Sequence, residues 1–205
     1  ADKTAAAVGE WMRRYKVPAY DEATGKGLVR HVYVRVNRKG ESLCCVVING
    51  RQAPREPELA AYVCATVPHT AGVLVNSNTK RGNVILGEKY RTLWGRDYLM
   101  DTLCGLEFKL SVPSFYQVNR DQAEALYGKA LDYAGLTGRE TVLDLYCGIG
   151  TITLCLAKRA GRVIGAEIVP AAIRDAKENA ARNHIENAEF FCGDAAETAA
   201  RLEAE

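Results

Sequence analysis

The chain has 205 residues, a length that suits one or two domains, and 48% of them are apolar, enough to bury real cores. No apolar run is long enough for a membrane-spanning helix, and the opening ADKTAAAVGEWMRRYK lacks the basic-then-apolar order of a signal peptide. The net charge of +2 is uneven: residues 1–112 hold 17 Lys+Arg against 11 Asp+Glu, and residues 113–205 hold 10 against 14. A basic first part beside an acidic second part points to a polyanion partner for the first, with an ordinary solvated surface as the alternative.

In chain order, residues 1–16 read as an amphipathic helix, and Gly25 and Gly27 mark a loop. LVRHVYVRV (28–36) and SLCCVVING (42–50) flank Asn37-Arg38-Lys39-Gly40, the pattern of a hairpin with a glycine turn. Pro57 to Thr66 reads as a helix with Pro in its first turn. GVLVNS (72–77), GNVILGE (82–88), YRTLWG (90–95) and GLEFKLSV (105–112) read as strands. Together they predict a small α+β domain over residues 1–112 with a largely antiparallel sheet.

The period then changes. Asn119 can cap a helix that runs to Ala134 and stops at Gly135, with Gln122 as its reciprocal partner. TVLDLY (141–146), RVIGAEI (162–168) and AEFFCGD (188–194) are short apolar runs that alternate with helical patterns over 150–160 and 170–184. This spacing predicts a parallel βαβαβ unit within residues 113–205. The first residue is not Met and the last ones, ETAARLEAE, lie in a helical pattern, so both ends are expected to be cut. With few strands in the parallel sheet, one edge is expected to be open and to favour self-association.

Seven cysteines at 44, 45, 64, 104, 147, 155 and 192 form no Cys-x-x-Cys pair. They read as reduced and mostly buried in a cytoplasmic protein, with no metal site expected. Cys44 and Cys45 are adjacent in a strand and should point to opposite faces.

The chemistry concentrates after the first parallel strand, in Asp144-Leu145-Tyr146-Cys147-Gly148-Ile149-Gly150. Two glycines let a backbone turn sharply and approach a ligand, and ligands of such sheets sit at the carboxyl ends of the strands. Glu167 ends the second strand, where a carboxylate can accept from both hydroxyls of a ribose. Asp194 ends the third, within reach of an adenine edge. A dinucleotide fingerprint needs a third glycine where this chain has Thr153. Asp144 would repel a pyrophosphate but suits a ligand with a cationic amino-acid end. The cofactor expected is therefore S-adenosyl-L-methionine, with NAD as the alternative, in a Rossmann-like methyltransferase fold of which residues 113–205 form the N-terminal half.

DLYCGIGT, the VIGAEIVPAAIRDAKENAARN that follows it and the upstream SFYQVN (114–119) resemble the uracil-5 RNA methyltransferases of the RumA/TrmA type. KVPAYDEATGKGLVRH and GNVILGEKYRTLWG resemble the central domain of the 23S ribosomal RNA branch. The resemblance implies methylation of C5 of a uridine in RNA, with cofactor contacts at Gln117, Tyr146, Thr151, Glu167 and Asp194 alongside Asp144, Gly148 and Gly150. It places Phe115 near the target uracil. Core packing is the alternative for Phe115 and Tyr116, and helix capping for Gln117. The family's nucleophilic cysteine follows an Asp-Pro-Pro-Arg-type motif that these residues do not contain, so the chain is expected to be inactive alone. Cys147 is expected to pack, not to react. An RNA-binding module without activity is the competing reading, with Arg30, Arg35, Arg38 and Lys39 as candidate phosphate contacts.

Overall fold

The computed structural model describes residues 1–203. The chain divides into two units: Ala1–Leu99 with Ser111–Pro113, and Met100–Leu110 with Ser114 onward. The division is not the single cut after residue 112 that the composition suggests. The hairpin of residues 100–110 belongs to the second unit.

The first unit begins with α1 (Asp2–Arg14), which buries Thr4, Ala7, Val8 and Trp11, a helical stripe. Asp2 lies in its first turn and Arg13 and Arg14 in its last, each with the favourable sign for the helix dipole. The Trp11 indole N–H donates to the Arg55 carbonyl at 3.1 Å. Strands β1 (Val29–Val36) and β2 (Ser42–Ile48) form the expected hairpin. Its turn is closed by buried Asn37, whose Oδ1 accepts from the Glu41 amide at 2.8 Å, and by Gly40 at φ +80°.

Helix α2 (Glu56–Thr66) then carries the chain to β3 (Thr70–Ser77), which lies parallel to β2. β4 (Lys89–Gly95) pairs antiparallel with β3, giving the order β1-β2-β3-β4. The sheet is thus mixed, because a helical crossover joins two neighbouring strands in the same direction. β2 is buried along its whole length. Cys44 packs with Trp11, Leu59 and Val73, and Cys45 with Leu43, Leu74 and Leu99. The two thiols therefore face opposite ways, as the strand period requires.

β5 (Tyr98–Leu103) and β6 (Leu106–Ser111) form a hairpin whose tip is Cys104-Gly105 and whose residues 100–110 lie in the second unit. The sequence reading saw only the second of these strands. Residues 82–88, read as a strand, are irregular instead. α3 (Arg120–Ala134) starts at Asn119, whose Oδ1 accepts from the Gln122 amide at 3.2 Å, and ends at Gly135 with φ +57°. Strands β7 (Thr141–Asp144), β8 (Arg162–Glu167) and β9 (Ala188–Cys192) form a parallel sheet in that order. α4 (Thr151–Ala157) and α5 (Pro170–Arg182) connect them, and α6 (Ala195–Glu203) follows β9.

One core joins these pieces: Leu103, Phe108 and Leu110 of the hairpin meet Tyr127 and Leu131 of α3, Leu154 of α4, Ile173 and Ala176 of α5, and Phe190 of β9. Where β6 meets α5, the helix supplies side-chain amides to the strand backbone. The Lys109 N–H donates to Asn179 Oδ1 and the Glu107 N–H to Asn183 Oδ1, both at 2.8 Å. Asn183 Nδ2 returns a bond to the Glu107 carbonyl at 2.7 Å. Two asparagines one helical turn apart thus satisfy backbone groups that a third strand would otherwise take. Among the described residues, no helix is long and apolar enough to cross a membrane.

Candidate functional site

The parallel register brings the strand ends together. Asp144 stands opposite Gly165, and Glu167 opposite Cys192. Beyond the strands, backbone bonds stitch the loops to their neighbours. The Cys147 amide donates to the Ala166 carbonyl at 2.9 Å and the Gly193 amide to the Glu167 carbonyl at 3.1 Å. Gly148 and Gly150 have φ of +54° and +85°, the left-handed region in which a side chain is strained. The Gly150 amide donates to the Cys147 carbonyl at 2.8 Å, closing the turn that opens α4.

The carboxylates are held in defined ways. Asp144 Oδ2 accepts from the Thr153 hydroxyl at 2.5 Å and Oδ1 from the Tyr146 amide at 3.3 Å. Thr153 is fully buried. The residue that breaks the dinucleotide pattern is therefore the one that fixes Asp144, a role the sequence reading did not assign. Glu167 Oε1 accepts from the Val169 amide at 2.9 Å, while its second oxygen has no partner among the described residues. Asp194 Oδ1 accepts from the Ala196 and Glu197 amides at 2.8 and 3.4 Å, capping α6. Burial foremost, then the nearby charges of Asp144 and Glu167, push the Cys147 thiol up to about 12. A buried neutral thiol is no nucleophile.

Tyr146, in the turn after β7, is 81% exposed, and Ile168 and Val169, after β8, are exposed as well. Thr151 turns its hydroxyl to Tyr127 of α3, 3.1 Å away, so its side chain braces the turn. Upstream, Phe115 is exposed and Tyr116 is buried 6.4 Å from the Phe108 ring, so core packing applies to Tyr116 and not to Phe115. Gln117 is half-buried, and the cap of α3 is Asn119, which removes the capping alternative for Gln117. Asn179, fully buried, donates from Nδ2 to the Ile149 carbonyl at 3.2 Å while its Oδ1 holds β6. It ties the glycine turn to the hairpin, and only its place in the quoted motif could have flagged it. A hollow of about 400 Å³ between α5 and β9, lined by Lys177, His184, Ile185 and Phe190, lies at the other end of β9.

The candidate phosphate contacts of the first unit separate into two kinds. The Arg30 side chain is 1% exposed, stacks 4.6 Å over Tyr20 and donates to the carbonyls of Asn78 and Lys80 at 3.0 and 2.7 Å. Arg35 donates to the Tyr33 hydroxyl at 2.8 Å and the Val112 carbonyl at 3.3 Å. Both are engaged within the fold: the Arg30 side chain is buried and Arg35 is half-buried, and each donates to backbone carbonyls. Arg38 and Lys39 are exposed at the hairpin turn.

Residues 136–204, which hold the parallel sheet, the glycine turn and the acidic strand tips, match the family model of a methyltransferase domain. An uncharacterized RNA methyltransferase of Halalkalibacterium halodurans is 44% identical over 195 residues, 95% of this chain and 43% of its own length. One of Caldanaerobacter subterraneus subsp. tengcongensis is 42% identical over 203 residues, 98% of this chain and 45% of its own. The chain thus spans less than half the length of these relatives. Among solved structures, the Pyrococcus abyssi tRNA (uracil-54, C5)-methyltransferase in complex with S-adenosyl-L-homocysteine matches with a TM-score of 0.76 at 23% identity, over 94% of this chain and 46% of that one. The M. jannaschii tRNA m1G37 methyltransferase matches with a TM-score of 0.52 at 16% identity, over 92% and 53%. These likenesses show the fold. The domain match supports S-adenosyl-L-methionine as the cofactor.

Proposed function

We propose that this chain carries the methyl-donor site of an RNA methyltransferase whose acceptor is C5 of a uridine, with 23S ribosomal RNA as the substrate. The observation that carries the donor site is the parallel register, which sets Asp144, Glu167 and the turn after Cys192 at adjoining strand ends beside the Gly148–Gly150 turn. Glu167 keeps one oxygen fixed on the Val169 amide and offers the other to a ribose diol. Asp194, anchored on α6, offers its remaining oxygen to an adenine amino group. Tyr146 supplies an exposed ring in the turn that follows β7. S-adenosyl-L-methionine bound there supplies an electrophilic methyl group.

The acceptor reading is supported by the SFYQVN segment, which leaves Phe115 exposed while buried Tyr116 anchors the segment, and by the RNA methyltransferase names of the relatives. The nucleophilic cysteine of the resemblance has no counterpart in these residues. Cys147 is excluded from that role by its burial and raised pKa.

Calorimetry with S-adenosyl-L-homocysteine tests the donor site. The chain should bind, and Glu167→Ala should weaken binding about 10- to 150-fold, the ~1.5–3 kcal/mol of hydrogen bonds to a charged group. A folded chain that binds nothing at millimolar ligand would remove the proposal for these residues. Assayed at the length of its relatives, the protein should release tritium from [5-³H]uridine in 23S ribosomal RNA. Methyl transfer without tritium release would place the acceptor elsewhere.

A further inference from the structure

Residues 78–88 join β3 to β4 without regular structure, yet their backbone is fixed from inside. Asn76 Nδ2 donates to the carbonyls of Gly87 and Lys89 at 2.9 and 3.2 Å, and its Oδ1 accepts from the Gly87 amide at 2.7 Å. Asn78 Nδ2 donates to the carbonyls of Val84 and Ile85 at 2.7 and 3.0 Å, and its Oδ1 accepts from the Lys80 amide at 3.2 Å. Both asparagines are buried, and Arg30 grips the Asn78 and Lys80 carbonyls from below. A Cβ on Gly87 would lie 2.0 Å from the Ser77 carbonyl oxygen, so the loop lies directly on β3.

Within the loop Leu86 packs against the core beside Leu43 and Leu74, but the tip before it does not. Val84 is 71% exposed and Ile85 48%. Val84 lines a hollow of about 930 Å³ together with Arg51, Lys80, Arg81, Lys89 and Arg91, in which Glu88 is the acidic residue. Arg91 is engaged by Glu56, and Lys80 lies 2.9 Å from Glu88. Arg81 and Lys89 are exposed. A pre-formed loop that shows an apolar tip between cations matches one chemistry. Phosphates take the cations, and the flat face of an unstacked base takes the apolar tip.

We infer that the 79–91 segment is a pre-organised docking surface for single-stranded RNA. The identity of the partner rests on the RNA methyltransferase reading; the surface itself rests on the loop. Because the loop is already ordered, binding does not carry the entropy of ordering it.

Fluorescence anisotropy of the chain with a labelled unpaired RNA oligomer across a salt series tests this. Arg81→Ala with Lys89→Ala should lower affinity and reduce the slope of log K against log salt by about 1.4, ~0.7 for each single-strand phosphate contact. Val84→Ser with Ile85→Ser should weaken binding several-fold and leave that slope unchanged. Asn78→Ala should weaken RNA binding without changing the affinity for S-adenosyl-L-homocysteine. RNA affinity indifferent to both double variants, absent at low salt, or lost equally for duplex RNA and heparin would overturn the inference. So would a protein ligand that needs Val84 and Ile85 while RNA does not. Calorimetry with S-adenosyl-L-homocysteine separates the two readings. Donor binding with RNA indifferent to the loop sinks this inference alone, and loop-dependent RNA binding without donor binding sinks the donor site alone.

Discussion

Replacing Asn179 by Ala probes the link between fold and site most sharply. Its side chain is fully buried, accepts from the Lys109 amide at 2.8 Å and donates to the Ile149 carbonyl at 3.2 Å. Truncation leaves one backbone donor and one backbone acceptor without those partners, at ~1–3 kcal/mol each. Partial exposure at Lys109 lowers its share, so the expected loss is about 2–4 kcal/mol. At roughly 2–4 °C per kcal/mol for a chain of this size, the melting temperature should fall by about 5–15 °C. Far-UV circular dichroism measures the melt. Fluorescence of Trp11 and Trp94, both in the first unit, serves as the control for damage outside the second. Affinity for S-adenosyl-L-homocysteine should fall at temperatures where the variant is still folded, because the Ile149 carbonyl sits between the two site glycines. Asn179→Asp keeps the acceptor for Lys109 but sets an oxygen against the Ile149 carbonyl, and should damage ligand affinity at least as much. A loss under ~0.5 kcal/mol, a value typical of neutral surface changes, would refute the bonding account. Lost stability with unchanged affinity would refute the positioning role.

Three further outcomes follow from particular residues. Gly165→Ala would place a Cβ 2.9 Å from Phe190 Cδ1 and 3.0 Å from the Cys147 Cβ and Sγ, so it should cost about 1–3 kcal/mol in thermal unfolding and weaken ligand binding through the displaced turn. Glu140 is held down to about 2, first by the Thr137 hydroxyl and then by backbone amides of residues 137–140. Its lowered folded pKa adds stability that is complete above pH 4.5 and lost as pH falls toward 2, and Glu140→Gln should flatten that part of the acid-unfolding profile. Among the described residues β7 and β9 each pair on one side only, so the chain should self-associate by native mass spectrometry. A strict monomer with β9 amides protected from exchange would count against edge pairing.

The parallel unit was legible because its signals are local. Apolar runs, Gly148 and Gly150, and the Asn119 and Gly135 caps set strand, turn and helix from their own chemistry. What was not legible depends on distant partners. Residues 82–88 carry a β-like composition, but Asn76 and Asn78 take their carbonyls and leave no ladder to join. β5 was missed because Tyr98–Leu103 includes Asp101, which is buried against Arg120 from α3. Arg30 looked like a surface cation in a hairpin and is a buried brace for a loop 48 residues away. Thr153 looked like a missing glycine and is the hydroxyl that fixes Asp144.

The most direct measurement of the central claim is a ¹⁵N–¹H titration of the chain with S-adenosyl-L-homocysteine. Amide shifts should cluster at Tyr146–Gly150, Glu167–Val169 and Gly193–Ala196, the three adjoining strand tips. Shifts confined to the hollow around His184 and Ile185, or none in a folded chain, would contradict a shared adenosyl site.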